Sequence, residues 1–492
     1  MRRRAPHRRG VLAASAIAGV ATAAVAFPPA ALAHGALVAK EDLPIPEWLF
    51  AWAASLVLIV SFVALTIAWR EPRFGEDRWR AVSEGISRAL VNRFTAGAAA
   101  LLSVFLLGLV IYAGLRGTES PDRNFAVAFV FSTFWLGLVV ASTLLGDVFR
   151  ALNPWRAIAR GVAAVFTLVA GQSAPPPLRY PERLGRWPAV VGIAAFAWFE
   201  LVYALSGFQA VGLTPHSVAN ATLVYTGWTF VGMALFGIDK WLERGEAFSV
   251  YFNMFSRLSL LEVRDGRLGR RGWLRGTTGW ATVPGSVALV LVVIGMTAFD
   301  GASEGLLKEP IETLQDALEG LGPVASLRFA NTVIMLATIL AVSGIFWAGI
   351  AGMHTVRDAA GRHSTRELGR RFAHSFIPIA LAYLVAHYFS FFVFIEQAQF
   401  TFLLSDPLGD GSDLFGTADS GIDYGLIGAN LTWYVQVGAL VVGHVLALVL
   451  GHDRALEIYC DARTAARSQY WMLAMMVGFT TLGLFLLSVS NA

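Results

Sequence analysis

Ten stretches of this chain are apolar for close to twenty residues at a time, and that decides what it can become. They run roughly 48–69, 94–115, 125–145, 188–205, 217–237, 281–299, 329–353, 372–396, 431–450 and 470–488. A helix rises ~1.5 Å per residue and a bilayer core is ~30 Å thick, so each is long enough to cross. Backbone polar groups in lipid must be satisfied within the segment, which favours helices. The expected class is all-α, a polytopic transmembrane bundle of about ten helices. Only 15% of the 492 residues are charged, well below the ~25% of a soluble domain. The single cysteine, Cys460, excludes an intramolecular disulfide framework.

The N-terminus reads as a signal peptide over residues 1–33. Arg2, Arg3, Arg4, Arg8 and Arg9 precede an apolar stretch, Val11 to Phe27, and Ala31-Leu32-Ala33 supplies the small-x-small cleavage pattern. Residues 34–492 then form one helical membrane domain, with His34 as its first residue. Arginine and lysine set the orientation. With the mature N-terminus outside, 28 of the 38 basic residues fall in five cytoplasmic loops, beginning near residues 70, 148, 239, 354 and 452. Only Lys40, Arg116, Arg123, Lys308 and Arg328 fall outside. Both mature ends are expected outside the cytoplasm, in a bacterial plasma (inner) membrane.

Three shorter segments carry their own expectations. Val162–Gly171 is too short to cross and reads as re-entrant or interfacial. Ile311, Leu314, Leu318 and Leu321 recur at helical spacing in an acidic outer loop, predicting an amphipathic surface helix. The arginine–glycine run Val263 to Arg275 suggests attraction to anionic lipid rather than nucleic acid. No sheet is expected anywhere, and Asn153-Pro154 is expected to open a helix.

Polar residues inside a membrane are costly and point to function. Tyr383, His387 and Ser390 share one face of the eighth helix at i, i+4 and i+7. Tyr388 lies beside them, and the ninth helix carries Gln436 and His444. His387 and His444 are expected at similar depth, as two imidazoles for one metal (zinc, copper or iron) or for a protonatable substrate. Tyr383, Tyr388, Ser390 and Gln436 would line the pocket. Haem is the weaker fit, because His374 to His387 is thirteen residues and His444 to His452 eight, which rotates the pairs apart. His34 and His216 are secondary metal candidates, His34 through its amine and imidazole together. The serine of Gly301-Ala-Ser303-Glu-Gly305 has the letters of a nucleophile elbow but follows a membrane helix, and reads as coincidence. The aspartates between Asp406 and Asp423 read as a solvated acidic loop rather than a calcium site.

Several stretches together carry a resemblance: His34-Gly with Asp42-Leu-Pro-Ile-Pro-Glu-Trp-Leu-Phe50, Leu152-Asn-Pro-Trp-Arg-Ala157, and Ala386-His-Tyr-Phe-Ser390. To these are added Asp406-Pro-Leu-Gly409, Leu414-Phe-Gly-Thr-Ala418, and Gly443-His444 through Gly451-His-Asp-Arg-Ala455. The chain resembles bacterial membrane proteins described as fenitrothion hydrolases. The resemblance implies hydrolysis of the P–O–aryl bond of an organophosphorus triester, with a small apolar or organophosphorus molecule as substrate. Such hydrolysis usually needs a water whose pKa is lowered by a bound metal, which makes a metal-assisted hydrolase the expectation. It assigns no catalytic residue. The alternatives are a membrane transporter or permease using its buried histidines for proton coupling, and a copper- or haem-handling membrane protein.

Overall fold

The computed structural model describes residues 47–75, 78–171, 177–205, 213–280, 283–356, 363–459 and 461–490. Residues 1–33, read from the sequence as a signal peptide, and His34 lie outside the described residues. In chain order the elements are α1 (Glu47–Ala68), β1 (Arg80–Ala81), α2 (Glu84–Leu90), α3 (Arg93–Arg116), α4 (Phe125–Leu145) and α5 (Pro154–Ala170). Next come α6 (Trp187–Tyr203), α7 (Pro215–Phe236), α8 (Ile238–Arg244), α9 (Ala247–Ser256), β2 (Leu261–Arg264) and β3 (Arg267–Arg270). The rest are α10 (Ser286–Ser303), α11 (Lys308–Ala317), α12 (Pro323–His354), α13 (Thr365–Phe372), α14 (Ile377–Phe400), α15 (Ala429–Ile458) and α16 (Ala462–Ser490).

Each of the ten apolar stretches falls on a helix. Among the described residues, seven helical stretches are long and apolar enough to cross a membrane, and 52–68 and 187–203 are shorter apolar helices. Local chemistry sets their starts. Asn92 Oδ1 accepts from Phe94 N at 2.8 Å and Thr95 N at 3.0 Å, while Thr95 Oγ1 accepts from Asn92 N, a reciprocal cap that opens α3. Asn153 opens α5 as its sequence predicts, accepting from Arg156 N at 2.8 Å with Pro154 in the first turn.

The helices meet through small residues, as expected where apolar packing must come from close approach. α14 packs along α15, where a Cβ on Gly443 would lie 2.4 Å from Ala382 Cβ and 2.8 Å from the Pro378 carbonyl oxygen. α10 packs on α12 in the same way, with Gly295 against Ile339. The outward faces stay apolar: Leu101 and Phe105 on α3 are 76% and 64% exposed, a surface that suits lipid.

Three sequence expectations change. First, residues 247–256 were expected in a cytoplasmic loop, but α9 lies in the core against α4 and α6, with Tyr251, Phe252, Met254 and Phe255 wholly buried. Ten residues span only ~15 Å and cannot cross. The apolar side of α9 is buried, and its polar stripe is met by Asn153, which donates to the Ser249 hydroxyl, and by Asp147, which accepts from Asn253. Second, Val162–Gly171 is mostly the latter half of α5, on the outside of the bundle, with Val162, Val165, Leu168 and Val169 exposed. It does not dip between helices, which narrows the two readings, re-entrant or interfacial, to the interfacial one.

Third, a small antiparallel sheet exists, in strand order β1-β3-β2. Asp265 and Gly266, both at positive φ, make the two-residue turn between β2 and β3. The arginine run is partly structural as a result. Arg271 is buried, donating from Nε to the Ser259 carbonyl at 2.8 Å and from its guanidinium to the Ser256 carbonyl. Burial lowers its pKa to about 10. The amphipathic helix is present as α11, with Ile311 buried.

Candidate functional site

α10 is buried along nearly its whole length, and its one carboxylate sits three residues from its end. Asp300 is 5% exposed. Its Oδ2 stands 2.7 Å from His387 Nε2 and accepts from the Tyr388 hydroxyl at 2.5 Å. His387 and Tyr388 are consecutive on α14, so their side chains leave the helix ~100° apart. They converge because α10 packs against α14 at this level. With Asp300 ionised, Nε2 carries the imidazole proton, leaving Nδ1 as the basic nitrogen. Nδ1 faces Gly301, where an added Cβ would come to 3.4 Å.

Two further groups surround this trio. Glu200 is half-buried on α6, within electrostatic reach of Asp300, and makes no hydrogen bond among the described residues. It lies in a π-helical segment, Phe199–Tyr203. Such widened turns are uncommon and occur often at functional sites. Tyr251 of α9 lies within reach of Glu200 and is stacked on Trp135 at 4.4 Å between ring centroids. Its hydroxyl is buried and has no hydrogen-bond partner among the described residues. A second π-helical segment, Phe129–Gly137 in α4, brings the Ser132 and Thr133 hydroxyls to Glu396 at 2.6 and 3.0 Å.

A cavity of about 200 Å³ opens beside the trio, between the ends of α6 and α10, the start of α12 and the helix α11. Asp300, Glu304, Glu312 and Asn331 contribute its polar wall, and Phe299 and Ile311 part of its apolar one.

The other sequence candidates have contacts of their own. His444 is fully buried on α15, but its Nδ1 lies 2.7 Å from the Leu440 carbonyl one turn back, and its Nε2 has no partner among the described residues. Its neighbouring ring is Tyr383, at 6.2 Å, whose hydroxyl donates to the Phe479 carbonyl of α16. α14 and α15 therefore pack together as the paired-histidine reading requires, yet the partners of His387 and His444 have no residue in common. Ser390 and Gln436 are buried. His216 is exposed at the start of α7, 3.1 Å from the Asn220 amide nitrogen. Among the described residues no group of three or more His, Cys, Asp or Glu is placed to hold a metal ion.

Sequence reasoning missed Asp300 as a site residue and counted it with the acidic loop that follows. Its signal was an acid at the end of an otherwise apolar helix. Ser303 ends α10, donating to the Asp300 carbonyl at 2.8 Å, in a helix terminus rather than an elbow. The aspartates of the 406–423 loop turn back on their own backbone. Asp406 accepts from Gly411 N and the Ser412 hydroxyl, and Asp413 from the Ser405 hydroxyl, Thr417 N and Ala418 N.

No known family model matches the chain, and neither a curated protein nor a solved structure is found to match it.

Proposed function

We propose that the protein is an integral membrane transporter in which Asp300, His387 and Tyr388 hold and release a proton as a small solute occupies the adjoining cavity. The observation that carries this reading is a carboxylate, an imidazole and a phenol sharing one oxygen inside an apolar bundle, at the edge of a cavity. Ionisable groups in such surroundings are expensive to keep and characteristic of proton relays. Transporters also tend to interrupt their helices near the binding site. Here the π-helical segments of α4 and α6 and the short buried helix α9 supply interruptions close to the trio.

In this account the chain crosses a bacterial inner membrane ten times after loss of residues 1–33, with both mature ends outside. The bilayer is its principal partner. His387 acts as the proton acceptor, Asp300 orients its ring and balances the imidazolium, and Tyr388 holds the carboxylate in place.

A second reading is the hydrolase that the resemblance implies. The Asp300–His387 pair favours it, because a carboxylate-oriented imidazole is a general base for water. Liposomes carrying the purified protein and an internal pH-sensitive dye separate the two readings. Small ammonium compounds, carboxylates and neutral solutes are added outside in turn, and an aryl phosphotriester is assayed in parallel. Solute-driven pH change in wild type, lost in Asp300→Asn, supports the transporter. Phosphotriester cleavage without pH change replaces it by the hydrolase, and silence in both assays overturns both.

A further inference from the structure

The cavity beside Asp300 is lined unevenly. Three carboxylates, Asp300, Glu304 and Glu312, face one base, Lys308. Asn331 adds an acceptor. It is 4% exposed, and its Nδ2 is committed to the Leu327 carbonyl at 2.9 Å. Its Oδ1 takes no hydrogen bond among the described residues although the side chain lines the cavity. That oxygen is therefore left open to a donor that enters the cavity. Phe299, Leu201 and Ile311 give the space an apolar side. At about 200 Å³ it falls below the ~300–1,000 Å³ of sites for drug-sized ligands.

We infer that this cavity binds a small organic ammonium ion, its N–H groups meeting the carboxylates and Asn331 Oδ1 and its short hydrocarbon part lying on Phe299 and Ile311. A carboxylate ligand would meet like charge from three acids. A neutral alcohol would leave the excess negative charge unanswered. The same ammonium chemistry is offered by a free amine and by the ethanolamine headgroup of a lipid. This inference deepens the transporter reading by naming its substrate class, but binding is measurable without transport.

The test is thermal stabilisation of the full chain in maltoside detergent at constant ionic strength, with n-propylammonium, n-propanol and propionate as probes. Propylammonium alone is expected to raise the melting temperature. Its apparent affinity is expected to fall at least about tenfold in Glu304→Gln/Glu312→Gln and in Asn331→Leu. Both glutamates are exposed, so the double variant should melt like wild type without ligand. Equal stabilisation by propanol, by propionate or by sodium chloride overturns the inference, as does unchanged affinity in the double variant.

Repeating the titration in nanodiscs with and without phosphatidylethanolamine separates the sources. Competition by that lipid assigns the headgroup, and its absence assigns a free amine. Ammonium binding without any solute-driven proton movement would sink the transporter reading and leave this one standing. Proton movement with other solutes and no ammonium binding would do the reverse.

Discussion

Nε2 of His387 stands 2.7 Å from Oδ2 of Asp300, a contact between residues 87 apart in the chain. The same oxygen accepts the Tyr388 hydroxyl, so one atom holds two donors from consecutive residues. A carboxylate answers both with its charge, whereas an amide in its place keeps the shape and loses the charge.

That difference makes Asp300 variants informative. Asp300→Ala leaves the Tyr388 hydroxyl and the His387 N–H without their acceptor, at about 1–3 kcal/mol for each unsatisfied group. Asp300→Asn retains an acceptor and should melt closer to wild type in detergent. Melting of the alanine variant at the wild-type temperature would contradict the contact.

The seam between α14 and α15 is tight at Gly443. A Cβ there would press on Ala382 and on the immovable Pro378 carbonyl. Gly443→Val should destabilise by about 1–3 kcal/mol or more, the usual cost of overpacking. Ala382→Gly in the same chain should recover part of the loss, because it removes one of the two clashes. Detergent melting temperatures of the single and double variants measure this. No loss in the single variant would show that the two helices do not meet here.

Acid should open the 406–418 loop. The Ser405 hydroxyl and the Ala418 and Thr417 N–H groups hold the Asp413 carboxyl below its ordinary pKa. At Asp406, desolvation is outweighed by the Gly411 N–H and the Ser412 hydroxyl, with the same result. Groups with lowered folded-state pKa values contribute stability above the unfolded value, about 3.9 for aspartate. That stability is lost as pH falls through the lowered values. Hydrogen exchange of Gly411, Thr417 and Ala418 should therefore show protection at neutral pH that collapses only below about pH 4. Asp413→Asn should lose the protection of Thr417 and Ala418 already at neutral pH. Protection that declines steadily from pH 7 would contradict this.

The bundle was largely legible because apolar length is written directly into the sequence. Each stretch became a helix, and Asn153-Pro154 opened α5 for the reason its residue types suggest. α9 was hidden because ten residues, seven of them apolar, match neither a span nor a loop, and the arginines around it pulled the whole segment to the cytoplasmic side. The Asp265-Gly266 turn was masked by the basic run that contains it. His387 and Tyr388 were found from their spacing on one helix. Asp300 was not, since no periodicity connects it to a helix so distant in sequence, and its neighbours are the acids of a surface loop. His444 was paired with His387 by depth alone, and the carbonyl of Leu440 that meets its Nδ1 belongs to its own helix, a contact that sequence spacing allows for any buried histidine.

The most direct test of a shared proton is infrared difference spectroscopy of the protein in lipid, recorded between acid and alkaline pH. The account predicts an imidazole band that changes together with carboxyl and tyrosine bands. Asp300→Asn, His387→Gln and Tyr388→Phe should each perturb all three, because one carboxylate oxygen holds the other two groups. If each variant removes only its own band and leaves the other two unchanged, or if Asp300→Asn reproduces the wild-type spectrum, the three residues do not share a proton and the central claim fails.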